Sequence, residues 1–328
     1  MLCFRAIFLG MLVSLGMMIA STPAVAASKT QKKLVYIVSD LSIPFWRIMD
    51  KGVSEKAKAL GYDIVTYGVQ NDAKKELEAM MKAINDKVSG IIVSPNNSSS
   101  CTTLLKLAKN AGIPVVIADI GTEGGEYVSY IASNNVEGAY ALGKILAQKM
   151  HRLGWQDGRV GIVAIPQKRA NGKARTEGFM KAMEEAGIQG AALKQQVTFS
   201  YEETYAFTKE MIDTHPNLRA VWLQGSDKYE GALAAIKDAK KQDDILLICF
   251  DAEPIFLELI PQKILTGAAM QQPFLMGEEA VRMMHSHLQG DSVEKNIQLP
   301  ILAISSENIA EKLPIIKRNV LGLDVKTE

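Results

Sequence analysis

"LVYIVSDLSIPFWRIMDKG" occupies residues 34–52. An apolar, largely β-branched run ends at Asp40. A short loop with Pro44 follows, then two rings, Phe45 and Trp46, and then apolar residues at helical spacing: Ile48, Met49, Val53, Ala57 and Leu60. A buried strand feeding an amphipathic helix is one βα unit. The rings stand at the strand-to-helix turn, and ligands of open α/β sheets lie beyond the carboxyl ends of the strands.

The same unit recurs along the chain. "YDIVTYG" (62–68) precedes a helix near 73–87, "SGIIVSP" (89–95) a helix from about Ser100 to Ala111, and "IPVVIAD" (113–119) ends this run. After "YVSYIAS" (127–133) the theme restarts with a helix over 136–151 and "RVGIVAIP" (159–166). A helix over 172–186, a strand over 192–199 and a helix over 202–214 follow. "LRAVWLQ" (218–224), a helix over 227–239 and "ILLICFD" (245–251) complete it. Short apolar strands alternating with helices predict parallel sheets covered on both faces. The expected fold is α/β, with two doubly wound lobes facing each other across a cleft. The helix over 276–289 and the strand "LPILAIS" (299–305) are too little for a third domain. They should pack back on the lobes, with crossovers near Ser133, Gln271 and Leu302. This places one lobe at 27–133 plus 272–301 and the other at 134–271 plus 302–328.

The first residues read as a segment apart. Arg5 precedes the uncharged run "AIFLGMLVSLGMMIA" (6–20), and "STPAVA" (21–26) supplies small residues for cleavage after Ala26. That is the pattern of a secretory leader over 1–26, and the apolar run is shorter than the roughly 20 residues of a spanning helix. The expectation is an exported protein of a bacterial periplasm. Without that segment, basic and acidic residues balance at 36 each. Such a chain has neither the basic stripe of a nucleic-acid binder nor an acidic tail. Cys101 and Cys249 then remain, either as two buried thiols or as one disulfide.

Signals for catalysis, cofactors or metals are weak. His285 and His287 stand two apart on a helix and point to different faces. GxSxG, CxxC, HExxH and GxxxxGK[ST] are missing from the sequence. "GTEGGEY" (121–127) leads into a strand and reads as a loop, while "NNSSS" (96–100) reads as helix N-cap chemistry. No enzyme activity, cofactor or metal is expected. Three strands end in a carboxylate, Asp40, Asp119 and Asp251. Asp119 and Asp251 hold matching places in the two halves and should look into the cleft, where carboxylates accept hydrogen bonds from hydroxyl or ammonium groups.

The order "SDLSIPFW", "IPVVIADIG", "YIASNN", "ARTEGFMKAM", "VWLQGSDKYEGAL", "ICFDAEP", "MQQPFLMGEEAV" resembles type I periplasmic binding proteins of the ribose/galactose kind. Lactose-repressor ligand domains share their fold. A leader rather than a helix-turn-helix before Leu34 sets the repressor branch aside. The resemblance implies two Rossmann-like lobes, a three-stranded hinge and closure on a small polar ligand. It assigns Phe45 and Trp46 to one face of a sugar ring and Phe199 to the other. Asp119, Arg175, Asp251 and Gln271 would grip hydroxyls, and Ser39 is carried into the ligand set with them. Ile43, Ile120 and Gly225 depart from the pattern, replacing three hydrogen-bonding groups of the ribose binders. A modified sugar or a small amine therefore competes with a plain sugar. The expected role is delivery to a membrane permease of ABC type by a monomer. The alternative is a sensing protein docking on a membrane receptor.

Overall fold

β-Branched residues bounded by turn chemistry form the strands, and the polar–apolar repeat of 3.6 residues forms the helices between them. The computed structural model describes residues 32–323; the leader reading at 1–26 and residues 324–328 lie outside them. The first half runs β1 (Lys33–Val38), α1 (Pro44–Ala59), β2 (Asp63–Gly68), α2 (Ala73–Asn85), β3 (Gly90–Ser94), α3 (Ser98–Asn110), β4 (Val115–Ala118) and β5 (Ser129–Ser133). Next come α4 (Asn135–Arg152), β6 (Arg159–Ala164), α5 (Ala170–Glu185), β7 (Gln189–Gln195), α6 (Tyr201–Thr214) and β8 (Leu218–Leu223). They are followed by α7 (Tyr229–Asp238), β9 (Leu246–Phe250), α8 (Phe256–Leu259) and β10 (Gly267–Met270). The closing elements are α9 (Pro273–Gln289), β11 (Asn296–Leu299), β12 (Leu302–Ser305) and α10 (Ile309–Ile315), which ends in a π turn at Ile316–Val320.

Two six-stranded sheets result, ordered β11-β5-β4-β3-β1-β2 and β12-β10-β9-β8-β6-β7. Every pair is parallel except β10 with β12. Helices cover both faces, so each lobe is doubly wound and carries an apolar core on each side of its sheet. The chain passes between sheets three times: from β5 into α4, from β10 into α9, and from β11 to β12.

Local details differ from the sequence reading where tertiary context rules. "LPILAIS" is two strands, because the chain changes sheets at Pro300–Ile301. The strand expected at 192–199 ends at Gln195, and Val197–Phe199 form a loop. Asn97 caps α3 by accepting from the Ser100 N–H at 2.8 Å, as "NNSSS" suggested. Cys101 and Cys249 are buried free thiols.

Each lobe brings one helix pair together through a glycine. A Cβ on Gly52 would lie 2.2 Å from the Phe274 carbonyl oxygen where α1 meets α9, and one on Gly178 would lie 2.0 Å from that of Val136 where α5 meets α4. Backbone cannot yield there as a flexible side chain would. Gly52→Ala and Gly178→Ala should each cost about 1–3 kcal/mol, outweighing the roughly 1 kcal/mol that alanine gains over glycine in a helix. A lower urea midpoint at unchanged m-value reads this out. Gly124→Ala, with nothing within 4 Å of the added Cβ, should leave the midpoint where it is.

Candidate functional site

Residues just past the carboxyl ends of β1, β4, β6, β7, β8, β9 and β10 surround one small cavity of about 60 Å³ between the lobes. Ile43, Phe45, Trp46 and Asp119 line it from the first lobe. Ile165, Arg169, Asn171, Arg175, Phe199, Gly225, Asp227 and Asp251 line it from the second, and Gln271 lies where β10 passes into α9. A wider groove of about 600 Å³ lies at the other end of the second sheet, beside Lys149, Trp155 and Lys263. Among the described residues, that groove contains no buried polar atom lacking a partner; the interlobe cavity does.

The two matched aspartates are presented in the same way. Asp119 and Asp251 have φ of 64° and 69°, the left-handed region that Asp tolerates better than most residues. Each backbone N–H still completes the sheet: Asp119 donates to the Ile131 carbonyl at 2.9 Å, Asp251 to that of Ala269 at 2.8 Å. The turn thus leaves the ladder intact while sending a carboxylate into the cavity. Phe199 is left-handed too, with φ of 53°. Its loop is clamped by the Glu203 carboxylate, which accepts the N–H groups of Val197, Thr198 and Phe199 at 2.8, 3.0 and 2.9 Å. Strained backbone held by surrounding bonds clusters at functional sites.

Arg175 lies beneath the cavity, 3% exposed. Its Nη1 donates to the Gln224 carbonyl at 2.5 Å and its Nε to Asn135 Oδ1 at 2.9 Å. The guanidinium stacks 3.9 Å over the Phe250 ring and lies 3.5 Å from Asp251 Oδ2. Gln271 Nε2 donates to the other Asp251 oxygen. Asn171 Nδ2 reaches across to Asp119 Oδ2 at 3.4 Å. Two lining atoms, Asp119 Oδ1 and Gln271 Oε1, are left buried without a donor, while a third, Asp227 Oδ2, is ion-paired with the Lys228 ammonium at 3.3 Å. All three are acceptors. Ile43, Phe45, Trp46, Ile165 and Phe199 add apolar lining. The arrangement suits a molecule with hydrogen-bond donors on one edge and flat C–H surface elsewhere.

Burial and mutual repulsion push the carboxylates up. Burial raises Asp119 to about 6, against the pull of Arg175 and with a push from Asp251. Burial also raises Asp251, opposed by Arg175 and by the Gln271 hydrogen bond. Glu253, which accepts from Ser226 Oγ at 2.8 Å, is raised by burial to about 7, with Asp227 adding to the rise.

Seven of the eight residues expected at the site line this cavity. The exception is Ser39, whose fully buried hydroxyl donates to the carbonyls of Ser94 and Pro95 at 3.0 and 3.1 Å. It ties β1 to the end of β3 and faces away from the cavity lining. Ile120 is likewise a core residue of the first lobe and not a cavity wall, whereas Ile43 and Gly225 do line the cavity. Trp46 does both, edge-on to Phe45 at 4.9 Å and packed into the core under α1. Ile165, Arg169 and Asn171 were missed. They lie in "IPQKRAN", whose polar residues give no periodic signal; a basic residue at the cap position of a helix, where Ser, Thr, Asp or Asn is usual, was the available clue.

A family model described as a periplasmic binding protein domain matches residues 34–292, and the chain belongs to that family. It is 28% identical over 279 residues to the ribose import binding protein of Bacillus subtilis, covering 85% of this chain and 89% of that one. The D-allose-binding periplasmic protein of Escherichia coli is 25% identical over 287 residues, 84% of this chain and 89% of that protein. Among solved structures, an ABC transporter periplasmic solute-binding protein from Actinobacillus succinogenes with bound D-allose superposes with a TM-score of 0.79. It has 20% identity and covers 86% of this chain and all of that one. A solute-binding protein from Bacillus halodurans with bound myo-inositol gives 0.77 at 22% identity, covering 86% and 96%.

A buried carboxylate raised to about 6 opposes folding above that pH. The opposition disappears as pH falls from 6 toward 3.8, the ordinary value at which the unfolded chain takes up its proton. Asp119→Asn should therefore stabilise the ligand-free protein by about 1–3 kcal/mol at pH 7. The gain should shrink to nothing by about pH 4. Thermal melts across that range check it.

Proposed function

We propose that this chain captures a small hydroxyl-bearing ring in the interlobe cavity and delivers it to an ABC-type membrane transporter. The two unpartnered acceptors, Asp119 Oδ1 and Gln271 Oε1, in a cavity otherwise lined by aromatic and aliphatic carbon carry the reading. Hydroxyl donors meet the acceptors, and the C–H faces of a ring meet Phe45, Trp46 and Phe199. Relatives are named as import binding proteins for ribose and D-apiose, which favours uptake over docking on a receptor. Export by cleavage after Ala26 and action as a monomer complete the proposal. The moving bodies are 27–133 plus 272–301 and 134–271 plus 302–328, turning about the three passages between sheets.

The cavity favours a modified or partly deoxygenated sugar over free ribose. Ile43 and Ile165 put apolar carbon, and Gly225 no side chain at all, on walls where a fully hydroxylated ring needs partners. A buried hydroxyl without a partner costs about 1–3 kcal/mol. Two such losses weaken binding by about 30- to 10⁴-fold. A panel of aldoses, deoxy and methyl sugars, polyols and small amines, titrated by tryptophan emission, tests this. Trp46→Phe separates the cavity signal from that of Trp222, which stacks on Phe179 in the core. Micromolar, saturable ribose binding would overturn the preference.

Asp119→Ala and Asp251→Ala should each weaken the best binder of that panel by about 10- to 150-fold, the loss of about 1.5–3 kcal/mol for a charged hydrogen-bond partner. Alanine at these left-handed angles should also lower the melting temperature, most at Asp251, which partners the buried Arg175. Asp119→Asn and Asp251→Asn, which suit the angle, therefore separate the binding loss from the turn. Normal binding with a collapsed melting temperature would mean that both residues only shape their turns.

A further inference from the structure

The loop after β6 carries a residue whose polar contacts belong to the other lobe. Arg169 stands at the N-cap of α5 without capping it. Its Nε donates to the Asn96 carbonyl at 3.2 Å and its Nη2 to Asn71 Oδ1 at 3.3 Å. Both acceptors lie on first-lobe loops, after β3 and after β2. The guanidinium lies 5.6 Å over the Phe199 ring of its own lobe, and the same side chain lines the cavity. Asn71 is built to receive it. Asn71 and its neighbour Gln70 are both left-handed, with φ of 55° and 56°. The Asn71 N–H is held by the Ser39 carbonyl at 2.7 Å. Asn71 Nδ2 donates to Asp40 Oδ2 at 3.2 Å, and a carboxylate accepts only, so Oδ1 is turned toward the second lobe.

We infer that Arg169 is the latch of the closed cleft, a positioning residue that joins the lobes through Asn71 and Asn96 and couples closure to occupancy of the cavity it lines. This rests on the binding function proposed above. An open cleft would return the guanidinium to water and free the Asn71 carboxamide. Closure needs both ends of the contact, and Phe199, fixed by Glu203, keeps the guanidinium from swinging away. Charged donors make the stronger hydrogen bonds, so losing the contact should lower the closed-to-open ratio about tenfold. Apparent affinity falls in step, because only the closed fraction holds the ligand.

Arg169 touches the cavity and Asn71 does not, so the pair separates a latch from a ligand contact. Asn71→Gly removes the carboxamide at a backbone angle that glycine adopts freely, and Arg169→Ala removes the guanidinium. Spin labels at Leu77→Cys and Val197→Cys, exposed positions on the two lobes, report the distance across the cleft by pulsed electron resonance. The native thiols are buried. Measurements run without sugar and with D-allose as probe. The sugar-free arm tests the latch, and the D-allose arm tests the binding function beneath it. Without sugar, the short-distance population should fall about tenfold in Arg169→Ala and by less in Asn71→Gly, which leaves the bond to the Asn96 carbonyl. The double variant should match Arg169→Ala, since the Asn71 contact is already lost there. Melting temperatures should stay at the wild-type value. A fall in Arg169→Ala alone would make Arg169 a cavity wall and overturn the latch. So would independent, additive losses, or a wild type with no short-distance population in either arm.

Discussion

A guanidinium taken out of water must be surrounded by acceptors, and much of the cleft follows from that requirement at Arg175. Four groups from three elements answer it: the end of β8 offers the Gln224 carbonyl, the start of α4 offers Asn135, and the end of β9 offers both Phe250 and Asp251. These contacts converge from distant parts of the sequence, so the cation fixes where three loops meet. Asp251 then has one oxygen toward Arg175 and the other toward Gln271. Gln271 marks the passage to the first lobe, so the buried charge is connected to the hinge by two side-chain contacts. Burying an ion without such partners would be costly.

Around that base the cavity is under-satisfied in one direction only. Buried polar groups in folded proteins nearly always find partners, so two unpaired acceptors in one cavity, Asp119 Oδ1 and Gln271 Oε1, are informative. Raised carboxylate values at Asp119, Asp251 and Glu253 have the same origin. The site keeps charge where folding alone would remove it. Such a sacrifice of stability at a binding site is a common compromise.

The fold was legible because its signal is repetitive. Strands that mostly alternate with helices leave little freedom in topology, and the second βα series at 159–251 repeats the first at 34–119. Asp119 and Asp251 could be read because each follows an apolar run and has no place in the core. Phe45 and Trp46 could be read because rings beside a proline at a helix start have no ordinary role there. Ser39 and Ile120 were misplaced for one shared reason. Both stand just past a strand end, where the backbone turn decides which residue faces the cavity. Linear order does not encode that turn. Arg169 and Asn171 were invisible because their meaning depends on the other lobe, a partner about 50 to 100 positions away (Asn171 to Asp119, Arg169 to Asn71).

The left-handed turns at Asp119 and Asp251 also set how this scaffold can change over time. At such backbone angles a side chain beyond Asp, Asn or Gly carries a steric penalty. Most substitutions there would be rejected before their effect on the ligand mattered. Ile43, Ile165 and Gly225 stand on backbone without that restriction and can accept a broad range of side chains. New ligand preferences should therefore arise by exchange on the apolar walls, while the two aspartates are inherited as a fixed grip.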